Sequence, residues 1–217
     1  MKPYPSAITR PPSRQRCDRC LRPQSACICG WIAPVDSAVR LLILQHPMEV
    51  DHAKGSARLL QLSVTGAAMV TGEVFDPVEL QRLLEQEGRV PLLLYPELPG
   101  ERALGIAAPP PLDATVLAQP SRLLLVVLDG TWRKSRKMLY LNPLLQALPR
   151  LPLTQMPPSH YRIRKAHAAD QLSTLEATCH ALGQLEGAPE RYQALLDSFD
   201  GFVSRFEATG GRLLMDQ

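Results

Sequence analysis

The stretch LLLVVLDGTWRKSRKML, residues 123–139, changes from apolar to polar and then to basic within a few positions. Six apolar residues, typical of a strand buried on both faces, lead to Asp129 and Gly130, and a basic segment with helical character follows. A strand that leads directly into a helix is the unit from which α/β domains are built. Ligands of such sheets bind outside the carboxyl ends of the strands, where Asp129 is predicted to lie.

Other segments repeat this alternation of strand and helix. The predicted strands span 39–47, 66–75, 90–96 and 122–128. The predicted helices span 52–62, 77–88, 131–147 and 189–207, together with one that begins after Ser173. Residues 101–120 are rich in proline and alanine and predict mostly loop. The sequence therefore predicts an α/β fold with a mostly parallel sheet and helices on both faces.

Four of the five cysteines form the pattern C-x2-C-x6-C-x-C, namely Cys17, Cys20, Cys27 and Cys29. Two thiolate pairs joined by a short loop can close a tetrahedral zinc site, which would supply folding energy to a segment too short for its own core. The pattern predicts a structural zinc knob within a basic N-terminal arm, residues 1–35, followed by a main domain, residues 36–217. The alternative is an unstructured arm of reduced cysteines.

Positive charge is concentrated in two segments, although the net charge of the chain is only +3. Residues 1–22 contain six basic residues and one acid, and residues 129–165 contain eight basic residues with Asp129 as the single acid. A polyanion responds to local patches, so this segregation indicates a nucleic-acid partner, unless each run is simply a solvated face. The predicted phosphate contacts are Arg16, Arg19 and Arg22 on the knob and Arg133, Lys134, Arg136 and Lys137 on the helix.

Missing patterns argue against several classes of protein. No apolar run approaches the roughly 18 to 20 residues of a membrane span. The basic residues near the N-terminus are not followed by the apolar stretch of a secretory signal, so we expect a cytoplasmic protein without membrane contact. The chain has no P-loop and no G-x-G-x-x-G fingerprint, and nothing indicates an obligate protein partner.

Six blocks of sequence, in order, resemble the DTW-domain family. They are the cysteine pattern from Cys17, LQHPME ending at Glu49, LLYP (residues 93–96), DGTW (129–132), YRIRK (161–165) and LSTLEA (172–177). Within this family the chain looks like the bacterial tRNA-uridine aminocarboxypropyltransferases, from about residue 17 to residue 181. The C-terminal helix carries no matching motif.

The resemblance implies a fold similar to the SPOUT class, an α/β domain whose C-terminal part forms a knot and binds S-adenosylmethionine. Residues 36–217 would then be the catalytic domain. It also implies that the 3-amino-3-carboxypropyl group of this cofactor, and not its methyl group, is transferred to N3 of a uridine in tRNA, with release of methylthioadenosine. The basic segments are independently suited to a tRNA partner.

By resemblance, the catalytic residues are Asp129, Thr131 and Trp132. Asp129 would act as a general base or would orient uracil N3. A carboxyl group with an ordinary pKa of about 3.9 is a poor base near neutrality, so the base role would need burial to raise that pKa. Thr131 would hydrogen-bond uracil or the cofactor carboxylate, and Trp132 would pack beneath the site or stack. The simpler interpretation makes Asp129 a helix N-cap and Trp132 a core residue.

The resemblance places the cofactor pocket in three segments. Its residues are Leu93, Tyr95 and Pro96, then Leu128, Asp129 and Gly130, then Leu172, Ser173, Thr174 and Glu176. Free N–H groups at the start of the helix that follows Ser173 would receive the methionine carboxylate. Arg164 would serve that carboxylate or RNA, and Arg162 and Lys165 would contact RNA. A capping box, S-x-x-E, explains Ser173 and Glu176 without any ligand, and His46 and Glu49 are weaker candidates for the site.

Two other functions stay open at this point. One is a SPOUT-type tRNA methyltransferase that uses the same cofactor and fold. The other is a zinc-stabilised RNA-binding protein without catalysis, which is disfavoured because the acidic Asp129 interrupts the basic patch. Release of methylthioadenosine would distinguish aminocarboxypropyl transfer from both.

Overall fold

The structure is a computed structural model that describes residues 15–50, 55–96, 100, 103, 105–153 and 172–208. Its strands are β1 (Arg40–Gln45), β2 (Ala68–Thr71), β3 (Val90–Leu94), β4 (Leu123–Asp129) and β5 (Arg150–Leu151). They form one sheet in the order β2-β1-β4-β3-β5, and every neighbouring pair is parallel. The predicted parallel sheet is confirmed.

Helices connect and cover these strands. They are α1 (Ala57–Ser63), α2 (Pro77–Leu84), α3 (Ala114–Leu117), α4 (Trp132–Leu141), α5 (Pro143–Gln146), α6 (Thr174–Glu186) and α7 (Gln193–Ala208). Each predicted helix has a counterpart, although residues 52–54 of the first lie outside the described residues. Across the described ranges, no helix combines the length and the apolar character that crossing a membrane requires.

One predicted element was wrong, and two short elements were not predicted. The single helix predicted over 131–147 is two helices, because Asn142 has non-helical φ −124° and ψ 86° and Pro143 begins α5. The predicted loop contains α3, whose N-cap Asp113 accepts a 2.8 Å hydrogen bond from the N–H of Thr115. The short strand β5 was not predicted, since two residues carry no periodicity.

The chain between β5 and α6 belongs to the C-terminal part, where the resemblance predicts a knot. Residues 154–171 of that connection lie outside the described residues, so the knot stays a prediction.

The central strand β4 divides the core into two layers. All seven of its residues are buried, and alternate side chains point to opposite faces. Leu123, Leu125 and Val127 belong to the cluster that includes residues of α1, α6 and α7. Leu124, Val126 and Leu128 belong to the cluster with α2, α4 and α5. The prediction of helices on both faces is therefore confirmed.

A switch in strand order lies between β1 and β4. The chain leaves β1 toward β2 on one side and leaves β4 toward β5 on the other. Such a point opens a crevice at the carboxyl ends of the two strands. Gln45, the last residue of β1, lies in register beside Asp129, the last residue of β4. The topology thus brings an amide and a carboxylate together at the mouth of this crevice.

The cysteine-rich segment is attached to the main domain through side-chain packing. Cys20 and Ile28 are buried in the same cluster as α7. Trp31 meets Phe202 of α7 edge to face, with ring centroids 6.5 Å apart and planes at 67°. The Ser198 hydroxyl also donates a 2.6 Å hydrogen bond to the carbonyl of Trp31. The last helix therefore holds the N-terminal segment in place.

This packing predicts an unusual response to Gly201→Ala in α7. Alanine in place of a helix-interior glycine ordinarily stabilises by about 1 kcal/mol. Here a Cβ at Gly201 would lie 2.5 Å from Cζ3 of Trp31. We therefore expect the variant to lose about 1–3 kcal/mol of unfolding free energy in a urea titration. The control Ser204→Ala, at an exposed position of α7, should be neutral or slightly stabilising. A stabilised Gly201→Ala protein would show that Trp31 does not pack firmly on α7.

Candidate active site

Asp129 is buried at the carboxyl end of β4, with 6% of its surface exposed. Its Oδ2 accepts a 2.9 Å hydrogen bond from Nε2 of Gln45, and its Oδ1 accepts a 2.7 Å hydrogen bond from the hydroxyl of Thr174. Helix α4 begins at Trp132 with Thr131 in the N-cap position. The simpler interpretation of Asp129 as an N-cap is therefore wrong, and the carboxylate instead joins β1, β4 and the start of α6.

A cleft of roughly 550 Å³, open to solvent, lies beside this carboxylate. Of the predicted site residues, the cleft is lined by Tyr95, Leu128, Gly130, Trp132, Leu172, Ser173 and Thr174. Ala177, the last residue of the LSTLEA segment assigned to the pocket, also lines the cleft. Sequence reasoning missed three further lining residues, namely Leu94, Val127 and Ser135. Leu94 and Val127 are direct neighbours of predicted residues in β3 and β4, so a wider window around each motif would have included them.

Trp132 is half exposed at the edge of the cleft, with 51% of its surface accessible. Its ring meets Tyr95 edge to face, with centroids 5.8 Å apart and planes at 73°. The interpretation of Trp132 as a core residue is therefore wrong. An exposed indole beside an apolar cleft can stack on a planar ligand, whether an adenine or a uracil.

The start of α6 forms the polar wall of the cleft. Its capping box is confirmed: the Ser173 hydroxyl accepts from the N–H of Glu176 at 3.2 Å, and the Glu176 carboxylate accepts from the N–H of Ser173 at 2.7 Å. This pairing leaves the N–H groups of Thr174 and Leu175 as the donors at the helix start. Glu176 is thus a structural partner of Ser173 and does not line the cleft.

Several other predicted residues lie outside the lining. Leu93 is fully buried among the side chains of the layer that holds α2, α4 and α5. Pro96 presents its carbonyl to Nη1 of Arg150 at 3.3 Å. Thr131 is exposed, and its side chain makes no capping hydrogen bond. Arg162, Arg164 and Lys165 lie outside the described residues.

Arg150 supports the cleft from behind and was missed by sequence reasoning. It is buried on β5, and its guanidinium lies 5.3 Å from the centroid of the Tyr95 ring. The stacked cation and its hydrogen bond to the Pro96 carbonyl fix the segment that follows β3. A single arginine in an unpredicted two-residue strand offered no signal in the sequence.

Acidic residues neutralise part of the basic face of α4. Nζ of Lys134 lies 2.8 Å from Oε1 of Glu49, and Nζ of Lys137 lies 2.8 Å from Oε2 of Glu73. The hydrogen bonds from Lys137 and from His46 lower the pKa of Glu73 below its ordinary value. Among the described residues, no acid pairs with the other two predicted phosphate contacts of this helix, Arg133 and Arg136, and both are exposed.

His46 orients this network in its neutral form. Its Nδ1 accepts a 3.1 Å hydrogen bond from the N–H of Met48, so the ring proton resides on Nε2. Nε2 therefore donates to Oε1 of Glu73, 2.9 Å away. His46 and Glu49, the two weaker candidates, thus hold the loop after β1 against α4 and do not reach the cleft lining.

The four cysteines of the N-terminal segment converge on one point. All four sulfurs lie within 4.8 Å of one another, with 3.6 Å between Cys17 and Cys29 and 3.8 Å between Cys20 and Cys27. A tetrahedron with metal–sulfur bonds of about 2.3 Å has edges of about 3.8 Å, so these spacings fit one tetrahedral ion. The cluster could therefore bind a metal ion.

The thiols of this cluster differ in acidity. The backbone N–H groups of Cys20 and Arg19 lower the pKa of the Cys17 thiol to about 6. Burial, followed by the hydrogen bond to Cys17, raises the pKa of the Cys29 thiol. Four crowded sulfurs resist ionising together unless a cation balances their charge, which agrees with a metal-binding role.

Comparison with known proteins agrees with this geometry. The DTW domain matches residues 14–207 of the chain. The chain belongs to the DTW domain family. The tRNA-uridine aminocarboxypropyltransferase 2 of Drosophila melanogaster is 32% identical over 198 residues, which are 86% of this chain and 73% of that protein. The protein of the same name from Mus musculus is 32% identical over 180 residues, covering 80% of this chain and 57% of its own length.

A plant relative is more distant. The tRNA-uridine aminocarboxypropyltransferase A of Arabidopsis thaliana is 28% identical over 137 residues, covering 58% of this chain and half of its own length. These relatives come from animals and a plant, so they confirm the family and do not test the narrower resemblance to its bacterial members. No solved structure matches the chain.

The two lysines of α4 provide a matched test of how much each ion pair contributes to the stability of the protein. Lys134→Met would leave the buried carboxylate of Glu49 without its cation, so we expect a loss of about 2–4 kcal/mol in unfolding free energy. Lys137→Met removes an exposed pair and leaves Glu73 bonded to His46, so we expect a loss below about 1 kcal/mol. Urea denaturation of both variants measures the difference. Equal losses would contradict a buried role for Glu49.

Proposed function

We propose that this chain is a tRNA-uridine aminocarboxypropyltransferase. It would transfer the 3-amino-3-carboxypropyl group of S-adenosylmethionine to N3 of a uridine in tRNA. The observation that carries the proposal is the match to the fly enzyme of that name, which extends over 86% of this chain. The cleft beside Asp129, with its apolar walls and exposed tryptophan, supplies a site of suitable chemistry.

The reaction requires one bond to form and one to break. The donor supplies an electrophilic carbon attached to a sulfonium, and its remainder leaves as neutral methylthioadenosine. Uracil N3 forms the new N–C bond, the electron pair of the broken C–S bond stays on sulfur, and the N3 proton leaves to a base. The protein must therefore hold N3 in line with the donor carbon and accept or direct that proton.

Asp129 is suited to directing the N3–H group. Gln45 and Thr174 hydrogen-bond its two oxygens, so the carboxylate has a fixed orientation before any substrate arrives. A carboxylate oxygen has lone pairs for more than one donor, and a further N–H can therefore bond to it. We assign Asp129 to orienting N3 and accepting its hydrogen bond, with Thr131 and Trp132 at the adjoining helix start as contacts for the base.

The cleft is suited to the donor molecule. Leu94, Val127, Leu128 and Ala177 provide apolar walls for an adenosine, and Tyr95 and Trp132 provide aromatic surfaces. The N–H groups of Thr174 and Leu175 at the start of α6 could receive the donor carboxylate. These are contributions of the chain itself, and four of the residues, Tyr95, Leu128, Trp132 and Thr174, are ones that the sequence predicted.

Binding of tRNA would use the basic side chains of the knob and of α4. Arg16 and Arg19 are exposed on the cysteine-rich segment, as are Arg133 and Arg136 on α4. Phosphate contacts by such side chains supply affinity that falls as salt rises. We further propose that the metal of the four-cysteine cluster is zinc, with a structural role, because four thiolates leave no open coordination position.

The first experiment follows two isotopic labels into unmodified tRNA. S-adenosylmethionine labelled in the carboxyl group should transfer its label, and the same molecule labelled in the methyl group should not. Methyl label alone in the tRNA would replace the proposal with methyl transfer. Neither label in the tRNA would leave a non-catalytic RNA-binding protein.

The role of Asp129 predicts a large effect of Asp129→Asn on the same assay. Asparagine keeps the shape but places an N–H2 group where a lone pair is needed, so we expect kcat to fall by about 10²–10⁴-fold. Binding of S-adenosylmethionine, measured by calorimetry, should change by less than about threefold, because the cleft lining is retained. The control Asp113→Asn removes an exposed carboxylate that only caps α3 and should retain full activity. Full turnover by Asp129→Asn would end this assignment.

The metal proposal predicts one zinc ion per chain by elemental analysis. Cys29→Ser should lose the zinc and lower the unfolding temperature by several degrees, since metal binding contributes folding energy. Cys179→Ala, which changes a buried cysteine of α6 outside the cluster, should retain the zinc. Retention of the full zinc content by Cys29→Ser would contradict the four-cysteine site.

A further inference from the structure

A second concave surface, here called the knob groove, lies between the cysteine-rich segment and the sheet. Its empty volume is roughly 1270 Å³, open to solvent. Arg16, Leu21 and Arg22 line it from the cysteine-rich side, and Gln45, Arg58 and Thr71 line it from the main domain. It shares no lining residue with the cleft beside Trp132.

The floor of the knob groove leads to the catalytic carboxylate. Thr71 lies in register beside Gln45, and Gln45 lies in register beside Asp129, across the carboxyl ends of β2, β1 and β4. Gln45 lines the groove and donates its amide to one oxygen of Asp129. Thr174 lines the cleft and donates to the other oxygen. Asp129 is therefore connected to the groove on one side and to the cleft on the other.

The walls of the knob groove are cationic. Arg16, Arg22 and Arg58 contribute three guanidinium groups, and the single acid in the lining, Glu49, is paired with Lys134. Cys20 also lines the groove, and a zinc ion held by four thiolates would carry a net charge of −2. Guanidinium groups along both walls of the groove offer binding positions for the phosphates of a polyanionic ligand. Guanidinium groups contact phosphate in paired hydrogen bonds and also stack on bases.

Exposed apolar side chains lie between these arginines. Leu21 and Val50 line the groove with 53% and 50% of their surfaces exposed. Leu21 also has φ +60°, a left-handed conformation that a leucine adopts at a cost of about 1 kcal/mol. Apolar surfaces interleaved with arginines are suited to the exposed faces of unstacked bases. In a double-stranded stem these faces are stacked on one another, so a stem would make no such contact.

Arg58 joins the two walls. Its guanidinium donates to the side chain of Gln61 in α1 at 2.6 Å and to the carbonyl of Arg19 in the cysteine-rich segment at 2.8 Å. The cysteine-rich segment thus has a fixed position as one wall of the groove. Arg58 was not among the residues predicted to contact RNA.

We infer that the knob groove binds the single-stranded segment of tRNA on either side of the target uridine. The target uridine would extend from the groove past Gln45 and Asp129 to the mouth of the cleft, where N3 meets the donor carbon and Trp132 contacts the base. This inference rests on the proposed function and adds the route of the RNA, with Arg58 as a phosphate contact. It also gives the metal cluster a role in substrate binding, as the support of one wall.

The test uses two groove variants of the full chain. Thr71→Trp fills the groove without changing charge, and Thr71 is an exposed strand end where tryptophan is well accepted. Arg58→Gln removes one guanidinium. Arg82→Gln is the control, because Arg82 is an exposed arginine of α2 that pairs with Glu79 in the opposite layer. Carboxyl-label transfer to unmodified tRNA gives KM for tRNA and for S-adenosylmethionine separately, with zinc content and unfolding temperature as checks of folding.

We expect Thr71→Trp to raise KM for tRNA by about tenfold or more while KM for S-adenosylmethionine stays within about twofold. Arg58→Gln should weaken tRNA binding about fivefold and reduce the slope of log affinity against log salt by about one. An oligouridylate should compete with tRNA for the unaltered protein and compete less well for Thr71→Trp. Arg82→Gln should behave as the unaltered protein.

Two results would overturn the inference, and they are distinguishable. If the unaltered protein transfers carboxyl label and both groove variants retain its KM for tRNA, the RNA takes another route and the proposed function stands. If the unaltered protein transfers no label to tRNA, the proposed function fails and the groove assignment fails with it.

Discussion

A buried carboxylate that is held from two sides organises this molecule. Asp129 ends the central strand in a mostly apolar sheet, where an unpaired polar group would be costly. Gln45 from β1 and Thr174 from α6 satisfy its two oxygens. Because each partner comes from a different part of the chain, the pair of hydrogen bonds fixes the C-terminal half of the domain against the N-terminal half. The same constraint leaves the carboxylate in one orientation between two openings.

The surroundings of Asp129 are held by longer-range pairs. Lys134 and Lys137 of α4 pair with Glu49 and Glu73 from the loops after β1 and β2. On the other side, α7 holds the cysteine-rich segment through Trp31 and Phe202. Two of the lysines that the sequence predicts to contact RNA therefore form ion pairs within the protein. In the proposed function, the arginines that remain exposed would supply the electrostatic attraction to tRNA.

Much of the fold was predictable because its signals are local. The apolar run of β4, the S-x-x-E box at Ser173 and the cysteine spacing each fall within one short window, and each prediction agrees with the structure. The site was predictable in part, since Tyr95, Trp132 and Thr174 follow from motifs. Arg150 and β5 were missed because a two-residue strand has no periodicity, and its place beside β3 depends on a crossover. The hydrogen bond from Gln45 to Asp129 was missed for a similar reason, because neither strand's sequence indicates that β1 lies beside β4.

The sequence by itself determined most of the element types, the family and the capacity of the cysteine cluster to bind a metal ion, because residue type and spacing along the chain are sufficient for these. The tertiary structure alone decided which side chains meet. It placed Thr71, Gln45 and Asp129 in one row, it turned Lys134 toward Glu49, and it separated the cleft from the knob groove. These contacts join residues distant in the chain, and only the packing of parallel strands and helices on both faces brings such residues within hydrogen-bonding distance.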